Sequence, residues 1–196
     1  MKTNSNNSLD SIKKISKYQQ SFKNPRVLAE IAIFTALATV LSTIIVYPLP
    51  QGGSVTLASM VPIIWLALRR GTKVGVATGI LYGFIQFAML PYIAPVTDPI
   101  VALIQVLLDY PIAFGVLGLA GYFHKYPVVG AAIGVSLRFV MSFLSGAFIW
   151  AGIYAVGLDP YVYSSVYNGS YMLPELIITV FVVFLLQASK TLRAYL

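Results

Sequence analysis

Four ionisable side chains lie within or at the ends of strongly apolar stretches of this sequence: Glu30, Asp109, Arg138 and Glu175. A charge at the centre of a membrane-spanning helix costs at least ~2.5–3.5 kcal/mol on insertion scales, so each needs a partner or a purpose. Asp109 is the most isolated of them and is followed directly by Tyr110. Two roles are open: an ion pair with Arg138 that holds two helices together, or the counter-charge for a bound cation.

The other two carboxylates have local explanations. Glu30 follows Arg26 at a spacing of four residues, which places both on one face of a helix and predicts an ion pair between them. Glu175 follows Pro174, and a carboxylate in the first turn of a helix is favoured by the helix dipole.

Aromatic residues are concentrated towards the end of the chain, around a single amide: Trp150, Tyr154, Tyr161, Tyr163, Tyr167, Asn168 and Tyr171. An interfacial belt explains some of the rings, because Tyr and Trp are enriched at membrane surfaces. It does not explain Asn168. A carboxylate, several ring faces and one amide are together the groups needed to hold a small aromatic cation through neutralisation, cation–π contact and hydrogen bonding.

The elements that must position these groups are predicted from composition. Of the 196 residues, 58% are hydrophobic and 10% are charged, and the mean hydropathy is +0.82. One crossing of a bilayer takes about 20 apolar residues, so nearly the whole chain is expected to lie in lipid. The predicted fold is an all-α integral membrane protein of about six transmembrane helices.

Pro, Gly and charged residues separate the apolar runs. Residues 1–25 form a polar, basic tail, and residues 26–196 form one transmembrane domain whose six runs cover about 27–47, 54–68, 74–90, 99–122, 127–156 and 172–188. The second run is short for a crossing.

The basic residues predict the orientation. Twelve of the 13 fall before the first run, after the last, or in alternate connections: Lys2, Lys13, Lys14, Lys17, Lys23, Arg26, Arg69, Arg70, Lys73, Lys125, Lys190 and Arg193. The opposite connections carry no Lys or Arg, and they include Asp98 and Asp159. The positive-inside rule therefore predicts a multi-pass plasma-membrane protein with both termini in the cytoplasm.

Composition also excludes several functions. With 0 Cys and 1 His, the chain offers no thiolate nucleophile and no ordinary zinc or haem site. His124 is predicted to lie in a cytoplasmic connection, so no nucleophile and base are expected inside the membrane. The net charge of +7 reflects membrane topology rather than a nucleic-acid surface. We therefore expect no catalytic residues, no cofactor and no enzyme activity.

Several long motifs occur in order along the chain: an Ala32–Ala36 pair, PQGGSVTLASMVP at 50–62, LALRRG at 66–71, LLDYPIAFGVLGLAG at 107–121, SGAFIW at 145–150 and YSSVYNGSYMLPE at 163–175. In these the chain resembles the thiamine-specific substrate-binding (S) components of energy-coupling factor transporters, the ThiT family. The resemblance implies an S-component bundle that binds thiamine near the outer face. It also implies partners, one shared transmembrane subunit and two ATPase subunits.

The resemblance also implies a set of ligand-binding residues. It places an acidic–tyrosine pair at Asp109 and Tyr110, a stacking tryptophan at Trp150, and a tyrosine and an asparagine at Tyr163 and Asn168. Each residue type suits the cation-binding chemistry described above.

The chain departs from the family pattern at three positions. Asp109 stands where a glutamate is familiar, Ser142 where a known member has a pocket histidine, and Gly53 near the position of a first-loop tryptophan. Because of its position in the family pattern, Ser142 is also a candidate ligand-binding residue.

Small residues at spacings of four predict close helix contacts. Gly75, Gly79 and Gly83 would line one face of the third helix, where close packing explains them. For Ala32 and Ala36 packing inside the protein is one explanation, whereas the resemblance implies docking on the shared membrane subunit.

Two other functions stay open. One is an S component for another vitamin or a thiamine precursor. The other is a solitary secondary transporter of a small organic cation, although such transporters usually show coupling charges or inverted repeats. No GxxxxGK[ST] phosphate loop occurs in the chain, so ATP-driven uptake would need separate ATPase subunits.

Overall fold

The computed structural model describes residues 22–189. Most of the predicted basic tail, together with Lys190 and Arg193, lies outside the described residues.

Six helices account for most of the described chain, in agreement with the predicted all-α bundle: α1 Pro25–Thr43, α2 Val61–Arg70, α3 Thr72–Met89, α4 Pro99–Phe123, α5 Pro127–Tyr154 and α6 Pro160–Ala188. Within residues 22–189, four helices are long and apolar enough to cross a membrane, namely α1, α4, α5 and α6. The short α2 is buried over most of its length, from Val61 to Leu68, and contributes much of the core.

The first loop is more ordered than the apolar pattern predicts. The chain leaves α1 at Thr43 and forms strand β1, Ile45–Pro48, which pairs antiparallel with β2, Ser54–Thr56. The predicted second crossing from residue 54 is therefore a strand followed by α2. Pro48 and β-branched side chains favour extended backbone here over helix.

The start of the last helix was predicted wrongly. Asp159 caps α6 by accepting hydrogen bonds from the N–H groups of Tyr161 (2.9 Å) and Val162 (3.0 Å), and Pro160 takes the first helical position. Residues 160–171, predicted as an outer loop, are helical. Glu175 consequently lies in the middle of α6 and not in its first turn, so the helix-dipole explanation for this carboxylate is wrong.

Two wide π-helical turns interrupt α4 and α5, at Leu108–Ile112 and Gly146–Trp150. The first contains Pro111, which cannot donate a backbone hydrogen bond, and it carries Asp109. The second ends at Trp150. Such turns often mark functional positions, because they reorient side chains that a regular helix would place elsewhere.

The glycine repeat in α3 packs closely against neighbouring helices, as predicted, and all three glycines contact α4. A Cβ atom on Gly79 would stand 2.9 Å from the Cα of Gly115, and one on Gly83 would stand 2.6 Å from the carbonyl oxygen of Tyr110. Only glycine permits backbones to approach this closely, so the repeat brings α3 against the segment that carries Asp109.

Glu30 pairs with a different helix from the one predicted. Its carboxylate lies 2.6 Å from the Nε atom of Arg70 and 3.3 Å from a guanidinium nitrogen of Arg69. Glu30 therefore pairs with these α2 residues and not with the predicted partner, Arg26. The contact with Arg70 is bidentate and joins α1 to α2.

Candidate functional site

A cavity of about 330 Å³ lies between the helices and beneath the first loop. All six residues predicted to bind a ligand line it: Asp109, Tyr110, Ser142, Trp150, Tyr163 and Asn168. The structure therefore brings together side chains that are up to 59 positions apart in the sequence.

Asp109 is held by two hydrogen-bond donors on the same oxygen. Its Oδ2 atom accepts from the amide of Gln105 at 2.7 Å and from the indole N–H of Trp150 at 2.9 Å. No ion pair within 4 Å joins Asp109 to Arg138 in the part of the chain that the structure describes. The interpretation of Asp109 as a structural partner of Arg138 is not supported by this geometry.

Trp150 belongs to a group of stacked rings at the mouth of the cavity. Tyr92 stacks on it with a centroid distance of 5.1 Å and an interplanar angle of 25°, and Tyr154 stacks at 6.0 Å and 17°. Tyr92 and Trp150 line the cavity next to Asp109. Sequence analysis missed Tyr92, because it lies in the stretch 90–97, which carries no charged residue and no periodic pattern.

The side chain of Tyr110 fastens the loop that carries Tyr92. Its hydroxyl donates to the carbonyl of Leu90 (2.8 Å) and accepts from the N–H of Tyr92 (2.9 Å). Gln105, fully buried, accepts from the N–H of Ala94 at 3.0 Å and donates to the carbonyl of Tyr92 at 3.2 Å. Gln105 could have been found, because a polar residue one helical turn before Asp109 shares its helix face.

Tyrosines of α6 hold the first loop in the same way. The Tyr163 hydroxyl donates to the side-chain Oε1 of Gln51 at 2.7 Å, and the Tyr167 hydroxyl donates to the carbonyl of Pro50 and accepts from the N–H of Gly53 (3.0 Å). Gln51 has a left-handed backbone with φ of 67°, an unusual conformation for a residue other than glycine. The loop is thus tied to α6 over the cavity.

Gly53 lies in a narrow space beside the side chains of Tyr167 and Tyr171. A Cβ atom there would lie 2.8 Å from the Tyr167 hydroxyl and 3.0 Å from the ring of Tyr171. A tryptophan of the kind the family resemblance suggested at this position would overlap these two tyrosines. Their rings occupy this part of the cavity wall.

Asn168 joins α5 to α6. Its amide nitrogen donates to the carbonyl of Ser142 (3.3 Å) and to the carbonyl and hydroxyl of Ser164 (3.0 and 3.1 Å), and its oxygen accepts from the Tyr171 hydroxyl (2.8 Å). Both ends of the amide are therefore engaged within the protein. Pairing of Asn168 with a ligand stays a prediction.

Two further charged residues, Glu175 and Arg138, line the cavity. The Oε1 atom of Glu175 accepts from the backbone N–H and the hydroxyl of Thr56, at 2.6 and 2.7 Å. The guanidinium of Arg138 lies 4.2 Å from the ring centroid of Phe114 and contacts the sulfur of Met60 at 2.9 Å. The sequence suggested only a helix-dipole role for Glu175, because the start of its helix was placed too late.

The residues predicted to dock a partner lie elsewhere. Ala32 and Ala36 are exposed on α1, whereas Ile31, Thr35 and Ala38 on the opposite face are buried. The alternative that the two alanines pack inside this protein is not supported.

This arrangement is suited to binding rather than catalysis. It offers carboxylates, ring faces and a lid of two loops. No group of three His, Cys, Asp or Glu side chains that could hold a metal ion occurs among residues 22–189.

Comparisons with known proteins agree with the geometry. The family model described as "Thiamine transporter protein (Thia_YuaJ)" matches residues 28–194. A protein of Bacillus subtilis (strain 168) named "Thiamine transporter ThiT" is 36% identical, over 81% of this chain and 88% of its own. A protein of the same name from Lacticaseibacillus paracasei is 29% identical, over 84% of this chain and 88% of its own.

A solved structure also resembles this chain. It is described as ThiT from Listeria monocytogenes, and it superposes with a TM-score of 0.71 at 26% identity. The match covers 86% of this chain and 98% of that structure.

Proposed function

The chain belongs to the thiamine transporter protein (Thia_YuaJ) family, and from this premise we propose that it is the high-affinity thiamine-binding S component of an energy-coupling factor importer. Its relatives are named as transporters, so its role is transport and not catalysis. The observation that carries the proposal is the Asp109 carboxylate, held against Trp150 in the wall of a closed-over cavity.

In this proposal the thiazolium ring of thiamine lies in the cavity beside both Asp109 and the aromatic group. The carboxylate supplies the counter-charge, and the faces of Trp150 and Tyr92 stabilise the cation through π contact. Oδ2 already accepts two hydrogen bonds, which orients the carboxylate and leaves Oδ1 for the ligand.

The remaining site residues shape the enclosure. Tyr110 and Tyr163 hold the two outer loops over the ligand, and Asn168 holds α6 against the Ser142 segment of α5. Ser142, buried in the cavity wall, contacts the ligand where a larger side chain would fill the space.

ATP-driven transport by this protein requires partner subunits, because the chain contains no ATP-binding phosphate loop. We assign residues 26–196 as the substrate-binding domain and residues 1–25 as a cytoplasmic tail, with both termini inside the plasma membrane. The exposed small-residue face at Ala32 and Ala36 is the docking surface for the transmembrane subunit, which in turn couples to two ATPases.

Binding of thiamine to the purified protein tests the proposal. Titration of the detergent-solubilised protein with thiamine should quench Trp fluorescence with saturation, and mass spectrometry should find thiamine among copurifying molecules. Saturable binding of another vitamin or a precursor, without binding of thiamine, would replace the proposed ligand. Uptake by cells that lack any energising module would favour a solitary transporter instead.

A further inference from the structure

Helix α1, which carries the proposed docking face, lies at the edge of the bundle. Its neighbours are α2, α3 and β2. Ala38 belongs to the main hydrophobic core, whereas Val27 and Ile31 form a small separate cluster with Leu66 of α2 and Val74 of α3. The N-terminal half of α1 is therefore packed outside the main core, and its orientation depends on a few contacts with α2 and α3.

Glu30 makes the strongest polar contact of this half of the helix. Its two carboxylate oxygens accept from the Nε–H and from a terminal N–H₂ group of Arg70, at 2.6 and 2.7 Å. A bidentate contact fixes the relative direction of the two side chains as well as their distance. The side chains of Glu30 and Arg70 are 18% and 16% exposed, so salt screens this pair less than it screens an exposed pair.

Arg70 is the last residue of α2 and lies at a closely packed corner of the bundle. Gly71 ends the helix with a φ of 90° and donates its N–H to the carbonyl of Ala67 at 2.8 Å. A Cβ atom on Gly75 of α3 would lie 2.9 Å from the Cα of Ala67, and one on Gly121 of α4 would lie 2.7 Å from its carbonyl oxygen. Because α2 is held between two neighbouring helices here, the pair joins α1 to a fixed point.

The pair and the docking face lie on different sides of α1. Ala32 and Ala36 follow Glu30 by two and six residues, which places them about 160° and 120° from it around the helix axis. The two alanines are exposed, whereas the Glu30 carboxylate faces α2. Glu30 is thus placed to orient the docking face and not to touch a helix that lies between the alanines.

We propose that the Glu30–Arg70 pair positions α1 for docking, because it holds the helix at the angle at which Ala32 and Ala36 meet the transmembrane subunit. This role rests on the proposed function, in which the two alanines form the docking surface. Without the pair, α1 can tilt on its small apolar cluster, so a smaller fraction of the molecules presents a groove that fits the partner helix. Neither Glu30 nor Arg70 lines the cavity, so thiamine binding does not depend on the pair.

The first test uses Glu30→Gln, which removes the charge but keeps the size of the side chain. Proteoliposomes that contain this variant and the energising module should take up labelled thiamine at least about fivefold more slowly than those with the parent protein. The amount of transmembrane subunit that copurifies with the variant should fall in parallel. The dissociation constant for thiamine, measured by fluorescence titration, should equal that of the parent.

Arg26→Gln is the matched control. Arg26 is an exposed base one turn earlier on α1, whereas the ion pairs of Glu30 are with Arg69 and Arg70. The control therefore changes the charge of the same helix by one unit and leaves the pair intact. It should transport as the parent does.

A covalent link separates positioning from a direct contact with the partner. The chain has 0 Cys, so Glu30→Cys together with Arg70→Cys introduces two thiols that a short cross-linker can join. Before cross-linking this double variant should transport as slowly as Glu30→Gln. After cross-linking uptake should return towards the parent rate, although both charges are gone. The two single cysteine variants, treated with the same reagent, should not recover.

Three outcomes would overturn the positioning role. Parent-like uptake by Glu30→Gln would show that docking does not need the pair. A joint loss of uptake, thiamine affinity and thermal stability would assign the pair to folding alone. A loss of uptake that cross-linking does not restore would show that the charges contact the partner themselves.

Charge exchange provides the second test if the cysteine pair does not fold. Glu30→Arg combined with Arg70→Glu restores opposite charges at the same contact, so it should transport faster than either single substitution. Uptake no faster than that of the single variants would contradict the proposal. A parent protein that binds no thiamine, or that does not copurify with the module, would instead overturn the proposed function itself.

Discussion

Trp150 donates its indole N–H to the Oδ2 atom of Asp109 across 2.9 Å, so the principal ring of the site and its carboxylate act as one unit. Each orients the other, although they belong to different helices. The π-helical turns at Leu108–Ile112 and Gly146–Trp150 make this contact possible, because each turns its residue towards the cavity.

Asp109→Asn should weaken thiamine binding by about 2–5 kcal/mol, because it removes the counter-charge from a desolvated site. A fluorescence titration of the purified variant measures the effect. Asp98→Asn is the control, since Asp98 caps α4 through its Oδ1 atom and Asn caps equally well. An unchanged dissociation constant in Asp109→Asn would show that the carboxylate does not face the ligand.

Trp150→Phe separates stacking from hydrogen bonding. The phenyl ring keeps a π face but leaves Oδ2 of Asp109 with one donor, so we expect a loss of about 1.5–3 kcal/mol in binding free energy. Trp150→Ala should lose more, because the ring contact with Tyr92 also disappears. Calorimetry is the appropriate measurement, since the main fluorophore is removed.

Phe148→Ala serves as the control for these variants, because Phe148 is 68% exposed in the same turn. It should bind as the parent does. If Trp150→Phe bound thiamine as tightly as the parent protein, the indole N–H would have no part in positioning Asp109.

Gly53→Ala should destabilise the first loop and lower affinity, because its Cβ would meet the Tyr167 hydroxyl and the ring of Tyr171. Overpacking of this kind costs about 1–3 kcal/mol. Thermal melting and thiamine titration of the same variant give both quantities. Gly169→Ala is the control, since nothing lies within 4 Å of its added methyl group. Equal behaviour of the two variants would contradict the tight fit at Gly53.

The helices were largely predictable because Pro, Gly and charged residues bound the apolar runs. The error at α6 has a physical cause. Several polar and aromatic side chains of residues 160–171 line the cavity, among them Tyr163, Tyr167 and Asn168, and hydropathy alone reads such a segment as a connection. The error then displaced Glu175 from the site. Its contact with Thr56 joins positions 119 apart, which no local pattern reveals.

Site residues were predictable from the sequence where the residue type differs from its neighbours or belongs to a family motif. Asp109 stands out as a charge in an apolar run, and Trp150 and Tyr163 stand out by family motif. Tyr92 and Gln51 carry no such signal, because their roles arise only when loops fold back over the cavity.

The last prediction concerns α1 and separates transport from binding. Ala32 and Ala36 lie one turn apart on the exposed face of α1, where two methyl groups leave a shallow groove that a partner helix can enter closely. Replacing either with Trp fills the groove without overpacking this protein, because neither alanine is buried. Thiamine affinity should therefore stay near the parent value, while uptake is lost in cells that contain the energising module.

Ala38→Trp is the matched control, since Ala38 lies on the same helix with no exposed surface. It should lower expression and binding together, as overpacking of a core costs stability. Affinity and uptake measured on the same set of variants distinguish the two faces of α1. Because the proposed ligand residues lie on α4, α5 and α6, a loss of uptake with normal affinity can come only from the exposed face. Normal uptake by Ala36→Trp in cells with the module would show that the partner docks elsewhere.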